Sequence, residues 1–188
     1  MRVLTIGTLA GLLFSGVAAA QPKTGPYAGL EARPVKALSE QQSADLWAGR
    51  GMGMALAAEL NGYPGPIHVI EHARELGLSH EQRARIDELY AAMKAEAVPL
   101  GERLIAQEAD LDRQFAARTV TLDSLSVATR AIGETQAALR AGHLKYHLSA
   151  AELLSPPQVE RYAELRGYAA GLPAAAPPGG HGHPAHRN

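Results

Sequence analysis

Two pairs of histidines have the spacing that a metal site built on helices would use. His68 and His72 are four residues apart, and His143 and His147 repeat that interval. Residues i and i+4 share one face of a helix, so the two imidazoles of a pair can approach one ion. Imidazole donors without thiolates suit Zn(II), Cu(II), Ni(II) or Co(II). The pairs therefore predict a divalent-metal site formed by all four histidines.

Helix packing is the competing explanation for the same residues. His143 and His147 flank Tyr146, which belongs to an apolar stripe, and His72 lies near Glu75 on what would be a solvated face. Single pairs at this spacing often have no metal role, so both interpretations stay open. A further cluster in segment 180–186 either scavenges metal weakly or is low-complexity sequence without a role.

Other chemistries find little support. The chain has no cysteine, which excludes a thiolate zinc site and a cysteine nucleophile. Segment 49–53 is rich in glycine but lacks the Lys-Ser/Thr of a phosphate loop. The serines fall at helix starts, with no suggestive order of serine, histidine and aspartate. We therefore predict a protein that is not an enzyme and requires no cofactor. A formal charge of -1 argues against nucleic-acid binding.

Two long amphipathic helices are predicted to position the histidines. The first begins at Ser79 and contains Pro99, which should bend it. The second begins near Thr121. Its apolar residues recur every seven positions: Leu125, Ile132, Leu139, Tyr146 and Leu153. A short break at 119–121 makes the two helices an antiparallel hairpin, and the fold class is all-α.

Shorter helices should flank this hairpin. They are predicted at Ser39–Arg50, Met54–Leu60, Ile67–Leu76 and from Ser155 to about Tyr168. Trp47 is expected to anchor the core, and Met52 and Met54 to pack against the hairpin rather than bind Cu(I). A hairpin has little core of its own, so the short helices or a second copy must cover its apolar stripe. We therefore expect a homodimer.

The first 20 residues have the pattern of a cleaved secretory signal peptide. One arginine precedes an apolar run that ends in small residues, and cleavage is expected before Gln21. A flexible linker at 21–37, a helical domain at 38–170 and a disordered His/Pro/Gly tail at 171–188 complete the predicted organisation. No later segment is apolar enough to span a membrane. We expect a periplasmic protein that works without ATP.

One short phrase, L-S-x-x-Q, occurs three times, at Leu38–Gln42, Leu78–Gln82 and Leu154–Gln158. Physically it is a capping box, in which serine and glutamine satisfy the free N–H groups of a helix start. Three copies in an exported helical chain of this size resemble the Spy/CpxP family of periplasmic stress proteins. The resemblance covers roughly Leu38–Tyr168 and is strongest over Leu139–Tyr168.

The resemblance implies a bent helical hairpin that dimerises into a cradle. It also implies one of two activities. The first is ATP-independent holding of unfolded envelope proteins, or adaptor work for an envelope-stress signalling protein. The second is heavy-metal sensing or buffering, for which His68, His72 and His143 match the family positions while His147 replaces a methionine. The family's carboxylate ligand has no aligned counterpart in this chain, although Asp87 and Glu88 lie close in sequence to the matching position. The cradle of the family's strongest chaperones is basic, whereas this chain is slightly acidic.

Overall fold

The computed structural model describes residues 25–168, and within them every regular element is helical. A 3-10 turn spans Leu30–Ala32. The α-helices are α1 (Glu40–Trp47), α2 (Leu56–Glu59), α3 (Pro66–Glu71), α4 (His80–Ala116), α5 (Leu122–Leu153) and α6 (Pro156–Leu165). This part of the chain contains no strand, which confirms the all-α prediction. The predicted signal peptide (1–20) and tail (171–188) lie outside the described residues.

The chain divides into a short unit that ends at Glu31 and a helical body that begins at Ala32. The last residues of the predicted linker (21–37) belong to that body. Val35 is buried, and the ammonium of Lys36 lies 3.1 Å from the carboxylate of Asp112 on α4. This end of the segment is therefore attached to the hairpin.

Capping boxes begin the long helices where the sequence places them. Ser79 Oγ accepts the backbone N–H of Gln82 at 3.1 Å, and Gln82 Oε1 accepts the backbone N–H of Ser79 at 3.1 Å. Thr121 and Ser124 make the equivalent pair at the start of α5. These bonds satisfy N–H groups that have no partner within the helix. Helix α4 continues through Pro99, and this proline is exposed to solvent.

Two apolar clusters hold the antiparallel hairpin together. The first lies where α3 and α6 pack on α4 and α5, and its buried residues are Val69, Leu76, Ile86, Ala150, Leu154 and Tyr162. The second lies where α1 crosses the hairpin, and its buried residues are Leu46, Ala97, Leu104, Ile132 and Leu139. Each fully buried aliphatic or aromatic side chain stabilises the fold by about 1.5–3 kcal/mol.

The crossing of α1 and α4 depends on a glycine. A Cβ added at Gly101 would overlap the carbonyl oxygen of Leu46 and lie 2.8 Å from its carbonyl carbon. The backbone of α1 therefore touches the backbone of α4, which places Leu46 in the core. Its neighbour Trp47, expected in the core, is instead 57% exposed, because α1 presents one face to the hairpin and Trp47 lies on the other.

Helix α3 is shorter than the Ile67–Leu76 prediction. It ends at Glu71, and the next residue, His72, is its C-cap with φ -104° and ψ 18°. The chain then passes through turns to Gly77, whose φ of +61° is readily adopted by glycine. His68 and His72 therefore do not lie within one continuous helix.

Candidate functional site

The ring of His147 is fixed by the loop that precedes α3. Its Nδ1 lies 2.8 Å from the carbonyl oxygen of Tyr63. Because a carbonyl only accepts, Nδ1 carries the proton, and Nε2 is the lone-pair nitrogen of the neutral ring. A Cβ at Gly65 would lie 2.9 Å from His147 Cε1. The loop therefore needs glycine at position 65 to approach the imidazole this closely.

Glu59, at the end of α2, is the buried carboxylate beside this ring. Its Oε1 accepts hydrogen bonds from the hydroxyls of Tyr162 and Tyr168, each at 2.6 Å, and from Arg166 Nε at 3.3 Å. Its Oε2 lies 3.7 Å from His147 Nδ1 and has no hydrogen-bond partner among the described residues. We call these five side chains the Glu59 cluster: Glu59, His147, Tyr162, Arg166 and Tyr168.

The charges and donors of the cluster keep Glu59 ionised. Burial alone raises the pKa of a carboxyl group, since it penalises the charged form. The hydroxyls of Tyr162 and Tyr168 act in the opposite direction by hydrogen bonding, as do the neighbouring imidazoles of His147 and His68 when they are protonated. Together they hold the pKa of Glu59 below its ordinary value. The cluster joins α2, α5 and the segment at the end of α6 through one carboxylate.

His143 lies one turn before His147 on α5 and has a different environment. The residue is 3% exposed, and its Nε2 is buried without a hydrogen-bond partner in the described part of the chain. Burial, followed by the charge of His147, lowers the pKa of His143, and the nearby Glu96 opposes this. Glu96 itself is engaged by Lys145 Nζ at 2.6 Å and by the hydroxyl of Tyr146 at 3.1 Å.

The other predicted pair makes local contacts. His68 Nδ1 lies 2.8 Å from Glu71 Oε2, and His72 caps α3 and is partly buried. Across residues 25–168, no group of three or more His, Cys, Asp or Glu side chains is arranged to hold a metal ion. The four imidazoles, as the structure arranges them, do not form a site with three or more ligands.

Sequence reasoning missed Glu59 and named other acids instead. Asp87 pairs with Arg83 at 2.9 Å, and Glu88 is exposed; within residues 25–168, neither makes a hydrogen bond or ion pair with a histidine. A signal for Glu59 was present, since it is the single acid in the apolar stretch Leu56–Leu60. A carboxylate flanked by apolar residues in a short helical turn is a candidate for a buried, hydrogen-bonded group.

The outer end of the hairpin is a second candidate site, of a different kind. None of residues 105–131, which we call the distal arm, is buried. Phe115 is 54%, Leu122 85% and Val127 70% exposed. A groove of about 530 Å³ runs between α4 and α5 here, and its apolar lining residues, Ala106, Val127, Ala128 and Ala131, alternate with the polar residues Arg103, Gln107, Asp110, Gln114 and Ser124. The arm therefore offers apolar surface on a helical support.

Comparisons with family models, with curated proteins and with solved structures found no match to the chain. Among the helices of residues 25–168, none combines the length and the apolar character needed to cross a membrane.

Proposed function

We propose that the protein is an exported, homodimeric stress chaperone or adaptor of the Spy/CpxP type, working in the periplasm without ATP. The observation that carries this proposal is the distal arm. Phe115, Leu122 and Val127 are each more than half exposed there, whereas Ile105 and Leu111 of the same arm pack, partly buried, against the second core cluster. Helices α1, α3 and α6 cover the remainder of the hairpin. Exposed apolar groups on a well-formed helical frame are typical of surfaces that bind other proteins.

Binding at such an arm would be weak and reversible. Burying one Phe, Leu or Val side chain contributes about 1.5–3 kcal/mol, and association and ordering of the client oppose this gain. A few such contacts hold an unfolded segment without trapping it, so release needs no nucleotide. The distal arm thus has properties that suit a holdase.

Charge would add little to capture at this arm. It carries the acids Glu108, Asp110, Asp112 and Asp123 and the arginines Arg113, Arg118 and Arg130. Four acids against three bases leave almost no net charge, in contrast to a strongly basic cradle. We therefore expect client binding at the arm to change little with ionic strength.

Suppression of aggregation tests the proposal. Light scattering would follow the aggregation of α-lactalbumin that has been unfolded by reduction of its disulfides, with and without the mature protein. Wild type should delay aggregation without ATP, and a triple Phe115→Ser, Leu122→Ser, Val127→Ser variant should lose most of this effect. Arg130→Gln, a polar change on the same arm, is the matched control. Equal activity in the triple variant, with its helicity intact by circular dichroism, would contradict the proposal.

We expect the homodimer to form through the same apolar side chains of the distal arm. Sedimentation equilibrium measures the monomer–dimer equilibrium directly. The triple variant should then shift toward monomer, because the exposed side chains would contribute to both client binding and self-association. A wild type that stays monomeric at all concentrations would remove the homodimer from the proposal.

Metal sensing or buffering by the four histidines is the alternative proposal. It would require His68, His72 and their partners on α5 to rearrange, since His68 is paired with Glu71 and His147 with Tyr63. Calorimetric titration of Zn(II), Cu(II), Ni(II) and Co(II) into wild type and into His143→Ala separates the cases. Tight binding by wild type that is lost in His143→Ala would support an ordered metal site. Equal, weak binding by wild type and His143→Ala would contradict it.

A further inference from the structure

An open groove lies where α1 and the following loop meet the hairpin. Its floor is formed by Leu46, Leu104 and Leu139, buried residues of the second core cluster, and its volume is about 470 Å³. That volume is within the range of about 300–1,000 Å³ that small-ligand sites occupy. The groove can therefore receive at least one large apolar side chain.

Two methionines form one edge of this groove. Met54 is partly buried against the core cluster, and Met52 is exposed with φ +44°, between two glycines. Methionine is unbranched and adapts its shape to different partners. This edge can therefore adjust to apolar side chains of different shapes.

Among the polar residues on the rim of the groove, Arg140 carries a positive charge without an ion-pair partner in the described part of the chain. The carboxylate of Asp45 is already bonded to Arg50 at 2.7 Å and to Gln41 at 2.8 Å. Arg140, by contrast, makes no ion pair and no side-chain hydrogen bond with any residue in the described range. A guanidinium beside an apolar floor matches a ligand that combines an apolar group with a carboxylate.

We propose that this groove binds client segments in which a large apolar residue lies next to an aspartate or glutamate. The apolar side chain would occupy the floor between Leu46 and Leu139, and Arg140 would receive the carboxylate. The inference rests on the proposed chaperone function and adds a preference to it. Leu104, on the groove floor, directly precedes the distal arm along α4, so one extended client could contact both.

Peptide binding to the full mature chain tests this preference. Three fluorescent peptides of equal length would be compared by anisotropy: apolar with an adjacent aspartate, apolar with an adjacent lysine, and serine with an adjacent aspartate. Wild type should bind the first most tightly. Arg140→Gln should weaken that binding about two- to fivefold, the range for a solvent-exposed ion pair. Arg140→Glu should shift the preference to the lysine peptide. Arg85→Gln, at an exposed position near the start of α4 and outside the groove and the arm, should change nothing.

The outcomes separate this inference from the function on which it rests. If Arg140 variants bind all peptides as wild type does while aggregation is still suppressed, the groove preference is wrong and the holdase stands. If no peptide binds and aggregation is not suppressed, both fail. Decanoate is the competing probe: binding of decanoate without binding of the apolar-acidic peptide would overturn the peptide proposal in favour of a fatty-acid site.

Discussion

Gln82 and Gln158 join the starts of α4 and α6 by exchanging hydrogen bonds between their side-chain amides. Gln82 Nε2 donates to Gln158 Oε1 at 3.0 Å, and Gln158 Nε2 donates to Gln82 Oε1 at 3.1 Å. Each amide also donates to a backbone carbonyl of another segment, Leu153 at 2.8 Å and Leu76 at 3.2 Å. Two capping boxes that look local in the sequence are therefore one tertiary contact.

This contact predicts that glutamines of the same motif differ in importance. Gln42 closes the capping box of α1, whereas Gln82 also links three segments. Gln42→Ala should destabilise the protein by about 0.5–1 kcal/mol. Gln82→Ala should destabilise it by about 1–3 kcal/mol, because partly buried donors and acceptors lose partners. Urea unfolding measures both. A double-mutant cycle should give about 0.5 kcal/mol or more of coupling between Gln82 and Gln158; additive losses would mean that the amides do not interact.

The close approach of α1 to α4 predicts opposite effects for two glycine-to-alanine changes. Gly101→Ala should destabilise the protein by more than about 1 kcal/mol, because its Cβ would overlap the Leu46 carbonyl. Gly133, in the middle of α5, has open space where a Cβ would stand. Gly133→Ala should therefore stabilise by about 0.5–1 kcal/mol through helix propensity alone. Thermal unfolding compares the two, and a neutral Gly101→Ala would contradict the backbone contact.

Local signals explain how much of the fold was predictable. The helix starts at Ser79 and Thr121 were predicted correctly, because a capping box involves residues three positions apart. The heptad stripe was also correct where another helix covers it, since Ile132 and Leu139 are buried. The same stripe does not say where coverage ends. Leu125 fits the heptad as well as Ile132 does, yet Ile132 is buried and Leu125 is only partly buried.

The candidate site was less predictable for the same reason. The spacing of His143 and His147 correctly places both on α5. What each ring contacts depends on segments distant in sequence, such as the Tyr63 carbonyl and Glu59. The pairing of Glu59 with Tyr162 spans more than a hundred residues, and no local pattern encodes it.

The Glu59 cluster predicts unequal effects for two tyrosine-to-phenylalanine changes. Tyr162 and Tyr146 each donate a hydrogen bond to a glutamate, Tyr162 to buried Glu59 and Tyr146 to the more exposed Glu96. Tyr162→Phe should destabilise by about 1.5–3 kcal/mol, the range for a bond to a charged group. Tyr146→Phe should have a smaller effect, because Lys145 and water remain available to Glu96. Urea unfolding at neutral pH measures the difference; equal losses would contradict the special role of Glu59.

Glu59 also predicts loss of stability in acid. Its pKa in the folded protein is below the ordinary value of 4.5, so the unfolded chain takes up the proton first as pH falls. The stabilisation is therefore complete above about 4.5 and is lost as pH drops through the lower folded value. Glu59→Gln should flatten this part of the pH profile. A wild-type slope retained by Glu59→Gln would assign acid sensitivity to other carboxylates.

His143 predicts a separate loss that begins at higher pH. Burial, and then the charge of His147, places its folded pKa below the ordinary value of 6.5. Protonation therefore favours the unfolded chain, so stability is constant above about 6.5 and decreases as pH falls toward the folded value. Unfolding by urea across this range measures the slope. His143→Gln should remove it, whereas His80→Gln, on the exposed first turn of α4, should leave it in place. A slope that survives in His143→Gln would assign the pH dependence to other groups and contradict the role of His143.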